Sequence, residues 1–448
     1  MPHRSFAAMF SPRRLRVSSA IAALMVAGTS VAAPAILYTD LASAPTGAWV
    51  TVFGRRMQGA TVAGADVVSQ TDTQVVLKWK GTPATIGGIA VPVTTSTGRV
   101  IEATPSTFGS AVSGVKSGDV IYMHAGNYSS KYGTTTWGAE ALTLGKWAAN
   151  TAYIGFPGEV AQLANVRMED GAGLANGVTI ANLKMAASSC VHGGMWWETD
   201  ESGATDVRIV NNTCNGNYGS ANTMTGLVAL GGDNWKVLGN TFSNNAPSPI
   251  NNNHGVYVNV GADNVEIAWN KFANLKLGHV IQQHTDGPLR VYSNLSVHDN
   301  ELRGTSAGDI RGINISGCTA DSTADIYNNV LINLGQDFSG ITVYCGTVQI
   351  RQNTLSGIQA PPLNIQGGTV TAKNNILIGQ ANVGSFTSSN NVSSGTVDST
   401  GRMASAPSAP NVGINNDHDG NARGSTVSVG AFEGNAAARP LAPAYTVQ

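Results

Sequence analysis

The chain has 448 residues, of which 42% are hydrophobic and only 12% are charged, and glycine occurs 53 times. Gly, Asn and Thr form helices poorly, so this composition excludes a mainly helical protein, and the evenly spread apolar residues exclude a disordered one. Basic residues number 26 against 27 acidic ones, so the chain lacks the positive field that a nucleic-acid partner needs.

Residues 1–32 have the anatomy of a secretory signal peptide. Four arginines precede the apolar run SAIAALMVAGTSVA, which ends in small residues. We expect cleavage after Ala32; the alternative is an uncleaved anchor, although the run is short for a membrane span. Cleavage removes the four arginines and leaves 22 basic against 27 acidic residues, a net charge of −5. No later stretch is apolar enough to span a membrane. We expect a bacterial protein that is secreted or periplasmic and monomeric.

Residues 35–97 predict a small β domain, because short alternating strands are separated by turns rich in Gly, Pro and Asp. The order of the pieces resembles the immunoglobulin-like IPT/TIG module. GAWVTVFGRRM matches its G-x-x-VTI-x-G segment, and SQTDTQVVLKW matches its S-x-T-x-I segment. The resemblance implies a small immunoglobulin-like β-sandwich that spaces or binds rather than catalyses.

A different pattern begins at residue 108. The short amphipathic stretch FGSAVSGV leads into SGDVIYMHAGNY, and AYIGFPGEVAQL follows at residues 152–163. This order resembles the opening of secreted pectate-lyase-like β-helix proteins, in which a helix caps the first turn of the coil. The resemblance implies that the next strands are successive rungs.

A strand-and-asparagine unit then repeats seven times, in segments such as VRIVNNTC, WKVLGNTF and VEIAWNKF. The gaps between its asparagines are 28, 30, 30, 29, 24 and 22 residues, and a second strand lies within each unit. This period predicts an all-β protein with a right-handed parallel β-helix over residues 105–395; an antiparallel β-sandwich is the alternative. We expect the asparagines to adopt left-handed backbone angles and to hydrogen-bond along the stack. They are Asn212, Asn240, Asn270, Asn300, Asn329, Asn353 and Asn375.

Four cysteines indicate disulfides in an exported chain. Cys318 and Cys345 follow equivalent strands of successive repeats, which predicts a disulfide between neighbouring rungs, with Cys190 and Cys214 as the second pair. No cysteine or histidine spacing indicates a zinc site. We expect no cofactor or metal, with a calcium ion as the open alternative.

Residues 396–448 predict a C-terminal capping segment and tail. The segment resembles a closing motif, D-x-DG-x-x-R…GA-[FY]-E, of secreted bacterial β-helix proteins. The resemblance implies a structural role that covers a sheet edge. The matching residues are Asp417, Asp419, Gly420, Arg423, Gly430, Ala431, Phe432 and Glu433.

Four of the eight histidines lie between residues 254 and 311. The residues expected to point into the coil are Val256, Val258, Val280, Gln282, Ile313, Ile315, Ile341 and Val343. Those expected to point out are Tyr257, Asn259, Ile281, Gln283, Asn314, Ser316, Thr342 and Tyr344. His254 and Arg311 then lie two rungs apart, about 10 Å or roughly two sugar units. His279 and His298 are interpreted as structural.

The resemblance to pectate-lyase-like proteins implies a carbohydrate-active enzyme that acts on an anionic polysaccharide. The histidines, arginine and amides favour β-elimination, with His254 or His284 as the base, Tyr257 as the leaving-group acid and Arg311 as the carboxylate clamp. The alternatives are a glycoside hydrolase that uses Asp286 and Asp309, a C5-epimerase, or an exopolysaccharide-binding surface protein without activity. The candidate substrate-binding residues are Asn259, Gln283, Asn314, Lys276, Arg290, Trp196 and Trp197.

Overall fold

A computed structural model describes residues 33–128, 141–142, 148–168, 176–186, 189–193, 203–216, 226–244, 254–259, 261–273, 275, 278–285, 287–304, 311–335 and 340–434. The expected signal peptide, the final residues 435–448, and several candidate site residues lie outside this part of the chain. Those site residues are Trp196, Trp197, Lys276, Asp286 and Asp309. Residues Pro34–Gln448 form one compact unit.

Three long parallel sheets make up the coil, so the chain is a parallel β-helix, as the repeat predicts. In the described residues, sheet 1 consists of Val100–Ala103, Val120–Met123, Ala152–Gly155, Thr179–Ala181, Arg208–Val210, Lys236–Leu238, Glu266–Ala268, Leu295–His298, Thr323–Tyr327, Thr347–Arg351, Thr369–Lys373 and Thr387–Ser389. Sheet 2 consists of Gly126–Asn127, Ala161–Leu163, Lys184–Met185, Thr213–Gly216, Thr241–Asn244, Lys271–Ala273, Glu301–Arg303, Val330–Ile332, Thr354–Ser356 and Ile376–Leu377. Sheet 3 consists of Ala141–Leu142, Asn165–Arg167, Val191–Gly193, Gly226–Gly231, His254–Asn259, His279–Gln283, Arg311–Ile315, Ile341–Val343 and Leu363–Ile365.

Smaller elements flank the coil at both ends of the chain. The helix Phe108–Ser113 occupies the predicted FGSAVSGV segment. Before it, a four-stranded antiparallel sheet has the order Ala35–Thr39, Trp49–Arg55, Gln74–Trp79, Ala65–Gln70. Beside it lie a parallel pair, Ser43–Pro45 with Thr94–Ser96, and a three-stranded sheet, Val62–Ala63, Thr85–Ile86 and Ile89–Ala90. Ser408–Pro410 pairs with Thr426–Ser428 near the C-terminus. No described helix has the length and apolar character that a membrane span requires.

Stacked apolar side chains fill the coil. Ile209, Val237, Ile267 and Val297 occupy the same register position in four successive strands of sheet 1, and each is at most 1% exposed. Burying one such side chain contributes about 1.5–3 kcal/mol, so the repeated column is a main source of the free energy of folding.

The predicted asparagine stack is present as a hydrogen-bonded ladder. The Oδ1 of Asn300 accepts hydrogen bonds from both the main-chain nitrogen and the Nδ2 of Asn270, each 3.0 Å away. The prediction of left-handed angles at the ladder asparagines is wrong by one residue. The left-handed residue is the one before each ladder position, because it makes the turn while the asparagine amide points into the stack. These residues are Asn211, Gly239, Trp269, Asp299, Asn328, Gln352 and Asn374.

The N-terminal sheet packs on the outer face of sheet 1. Val50 and Leu77 share a buried apolar cluster with Ile154 and Val210, which point outward from the coil. The ring of Tyr38 stacks on that of Trp269 at 5.3 Å. The N-terminal strands and the coil therefore share a hydrophobic core.

The C-terminal segment packs laterally on the later rungs. Phe432 contacts the cluster that contains Val330. The buried Arg423 donates hydrogen bonds to Asn328 and to main-chain oxygens of the segment itself. The motif that resembles a closing element therefore covers the outer faces of sheets 1 and 2.

Both predicted disulfides are present, Cys190–Cys214 and Cys318–Cys345, with Cα atoms 6.1 and 5.7 Å apart. The first joins the start of a sheet 3 strand to a sheet 2 strand inside the core, since both cysteines are at most 1% exposed.

Candidate functional site

The outer face of sheet 3 differs from its prediction in one strand. Tyr257 pairs with Gln282, and Val258 pairs with Gln283. Ile281 and Gln283 therefore point into the coil and Gln282 points out, so the predicted orientation of this strand, and Gln283 as an outward substrate-binding residue, are wrong. The sequence HVIQQ has two adjacent apolar residues and two adjacent amides, so alternation does not fix its orientation.

Two columns of polar side chains follow from this register. Every second residue of a strand points outward, and equivalent residues of neighbouring rungs lie about 4.8 Å apart. The first column is Tyr257, Gln282, Asn314, Thr342 and Asn364. The second column lies two residues further along each strand than the first. It consists of Asn259, His284, Ser316, Tyr344 and Gln366, and the main-chain hydrogen bonds of the last four show that their positions are equivalent.

A third column lies where the strands of sheet 3 begin. His254, His279 and Arg311 occupy equivalent positions on three successive rungs. The imidazole rings of His254 and His279 are nearly parallel, with centroids 6.3 Å apart. His279 thus lies between the two residues that the sequence places two rungs apart, and its assignment to a structural corner missed this position. The three columns together are called the polar strip.

Two imidazoles of the strip are uncharged near neutral pH. Burial, helped by the nearby positive charge of Arg311, lowers the pKa of His254 to about 4 and that of His279 to about 3. A neutral imidazole accepts a proton or a hydrogen bond, so these groups do not repel the nearby guanidinium.

The imidazole of His284 is oriented by a hydroxyl network. Its Nδ1 lies 3.1 Å from the Oγ of Ser316, which donates to the main-chain oxygen of Gln283 at 3.3 Å and accepts from Asn314 Nδ2 at 2.9 Å. Because Ser316 donates its single hydroxyl hydrogen to the main-chain oxygen of Gln283, the Nδ1 of His284 is the donor to Ser316. In the neutral ring the lone pair then resides on Nε2.

Solvent exposure divides the strip into a covered and an open part. His254 and Tyr257 are 6% and 3% exposed, and their rings are stacked at 5.3 Å. His284 and Arg311 are partly exposed. Tyr344 is 48% exposed. The exposed surface of the strip therefore lies at Tyr344, His284 and Arg311, whereas Gln282, Asn314 and Thr342 are at most 9% exposed.

The remaining candidates have separate positions. Asn259 ends a strand of the strip and is 6% exposed. The main chain of Arg290 pairs with Cys318, next to the second disulfide. His298 lies on sheet 1, where it contacts Glu266 and Asp299. Ser316 and Thr342 lie on the outward face, as expected, but were not among the candidate site residues; their register with His284 and Asn314 adds them to the site.

Within the described part of the chain, no group of three His, Cys, Asp or Glu side chains has the arrangement of a metal site. The chain matches no protein-family model, no curated protein and no solved structure.

Proposed function

We propose that the protein is a polysaccharide lyase that cleaves an acidic, uronic-acid-containing polymer by β-elimination on the polar strip. The observation that supports this best is the imidazole of His284, whose Nδ1 lies 3.1 Å from the Oγ of Ser316. Arg311, on the next rung, pairs with His279 at the other end of the strand, so its side chain extends along the strip to reach the same sugar. Elimination needs a base for the proton next to a carboxyl group and a cation where negative charge develops.

The proposed step uses three residues. Arg311 binds the uronate carboxylate with its two parallel N–H donors. Nε2 of His284 takes the C5 proton, the C5–H electrons form the C4=C5 double bond, and the C4–O bond breaks with its electron pair on oxygen. Tyr257, on the adjacent rung, donates its hydroxyl proton to that oxygen, and solvent returns a proton to Tyr257 as His284 releases its own.

The residue types of the strip favour elimination over hydrolysis. The described residues of the strip supply imidazoles, amides, hydroxyls and a guanidinium, the groups that elimination uses. Glycoside hydrolysis uses a pair of carboxyl groups, and the pair of that alternative, Asp286 and Asp309, lies outside the described residues. His254 and His279 are proposed to hold the covered end of the strip, since both are buried and uncharged near neutral pH.

The finer assignments are proposals as well. The N-terminal strands are an IPT/TIG-like module on a pectate-lyase-like coil, and residues 1–32 are removed during export to the periplasm or the medium. Two disulfides are consistent with that route, because they persist in oxidising compartments.

The test is incubation of the mature chain with polygalacturonate, alginate and hyaluronan. We expect new absorbance near 235 nm from the conjugated product, and a loss of at least about 100-fold in kcat for His284→Ala. His124→Ala is the matched control, because this histidine pairs with Glu159 away from the strip. New reducing ends without absorbance would indicate hydrolysis, and a changed uronate composition without cleavage would indicate epimerisation.

A further inference from the structure

The polar strip continues for two rungs beyond Arg311. Thr342 and Tyr344 stand on the first of these rungs, in line with Asn314 and Ser316. Asn364 stands on the second, in line with Thr342. Tyr344 therefore lies two rungs from His284, about 10 Å or roughly two sugar units.

Tyr344 is an exposed ring in a polar setting. It is 48% exposed, whereas Ile341 and Val343 of the same strand are fully buried. On the next rung, the Nε2 of Gln366 donates a hydrogen bond to the Oδ1 of Asn364. One aromatic ring beside paired amides is typical of sites for ligands that combine apolar faces with hydroxyl groups.

Two buried polar atoms beside this ring have unused hydrogen-bonding capacity. Within the described residues, neither the Oδ1 of Asn314 nor the Oγ1 of Thr342 makes a hydrogen bond. Asn314 is 5% exposed and Thr342 is fully buried. Leaving such atoms without a partner costs about 1–3 kcal/mol each, so they favour an internal water as partner.

We propose that Tyr344 forms the floor of a sugar-binding subsite of the polar strip. A pyranose ring stacks on Tyr344 through its C–H face. The Asn364–Gln366 pair contacts the neighbouring sugar. This inference rests on the proposed function, since the occupant is a unit of the same acidic polymer about two units from the scissile bond.

The experiment compares Tyr344→Ala with Tyr344→Phe, which keeps the ring. Val68→Ala, which trims an apolar side chain that is 54% exposed in the N-terminal sheet, is the control. We expect Tyr344→Ala to raise KM about tenfold with kcat within about twofold, as for a lost stacking contact, and Tyr344→Phe to stay within about twofold of the parent.

Binding is measured separately from turnover, by affinity electrophoresis of the same variants in polyacrylamide containing polygalacturonate, alginate or hyaluronan. Each variant carries His284→Ala, so that cleavage does not interfere. Retention of Tyr344→Ala equal to that of its parent, or an equal loss in Val68→Ala, would overturn the subsite and leave the lyase proposal untouched. Selective loss of retention without any absorbance at 235 nm in the wild type would support the subsite and overturn the lyase.

Discussion

The Nδ1 of His254 donates a hydrogen bond to the main-chain oxygen of His279, 3.1 Å away on the next rung. This bond fixes the ring of His254 beside that of Tyr257 and directs its Nε2 away from the neighbouring rung. Because both imidazoles are buried and have lowered pKa values, they add no charge beside Arg311 near neutral pH.

The lowered pKa of His254 predicts acid sensitivity. Below about pH 6.5 the unfolded chain protonates this histidine, whereas the folded chain does so only near pH 4. The free energy of unfolding therefore falls by up to about 1.4 kcal/mol per pH unit between these values. We expect His254→Gln to reduce this slope in urea unfolding between pH 6.5 and 4.5. An unchanged slope would contradict the assignment.

The buried His298, which hydrogen-bonds to Asp299 and Glu266, predicts the opposite dependence at alkaline pH. Hydrogen bonds to Asp299 and Glu266 raise the pKa of His298 to about 9 despite its burial. Its contribution is therefore complete below about pH 6.5 and is lost as the pH rises through 9. We expect the stability of the wild type to fall by about 3 kcal/mol over that range. In denaturant unfolding over the same range, the free energy of unfolding of His298→Gln should decrease less than that of the wild type. An equal decrease in both proteins would refute the role assigned to His298.

The asparagine ladder predicts a position-dependent cost of truncation. Asn300→Ala removes the acceptor of two donors on Asn270 and the donor to Ile267, all of them buried. We expect a loss of about 3–5 kcal/mol in the free energy of unfolding. Asn391, a partly exposed member near the end of the ladder, is the matched control, and Asn391→Ala should cost about 1 kcal/mol. Equal losses would show that burial in the stack does not set the cost.

The gradient of exposure along the strip predicts attack from a chain end. In the second column, Asn259 is 6% exposed and Tyr344 is 48% exposed, so the Asn259 end of the strip is covered. If the lyase proposal holds, short unsaturated products appear from the first turnovers while the polymer keeps its length. Viscosity should then decrease slowly relative to absorbance at 235 nm. A rapid early decrease in viscosity would indicate cleavage within the chain.

Much of the fold was predictable because it repeats. A buried column needs the same residue type on every rung, so the asparagines and apolar residues of sheet 1 reveal the period directly. Cys318 and Cys345 could be paired by the same reasoning. The positions of the left-handed residues could not be predicted in this way, because Trp269 and Gln352 make the same turn as Gly239 and share no residue type with it.

The candidate site was less predictable. Orientation within His279–Gln283 depends on pairing with the neighbouring strands, and its own residues do not alternate. Pairing reverses the expected roles of Gln282 and Gln283 and aligns His279 with Arg311. The oriented imidazole of His284 likewise depends on Ser316, 32 residues away in sequence.

Arg56 donates hydrogen bonds to Asn421 and to the main-chain oxygen of Gly420, both at 3.0 Å, and so joins residues about 365 positions apart. A contact of this sequence separation forms slowly, because closing so long a loop costs conformational entropy. The N-terminal strands can pack against the rungs of sheet 1, but the bonds of Arg56 require residues 420 and 421. A chain shortened before residue 420 therefore lacks the contact that joins its N-terminal sheet to the C-terminal segment.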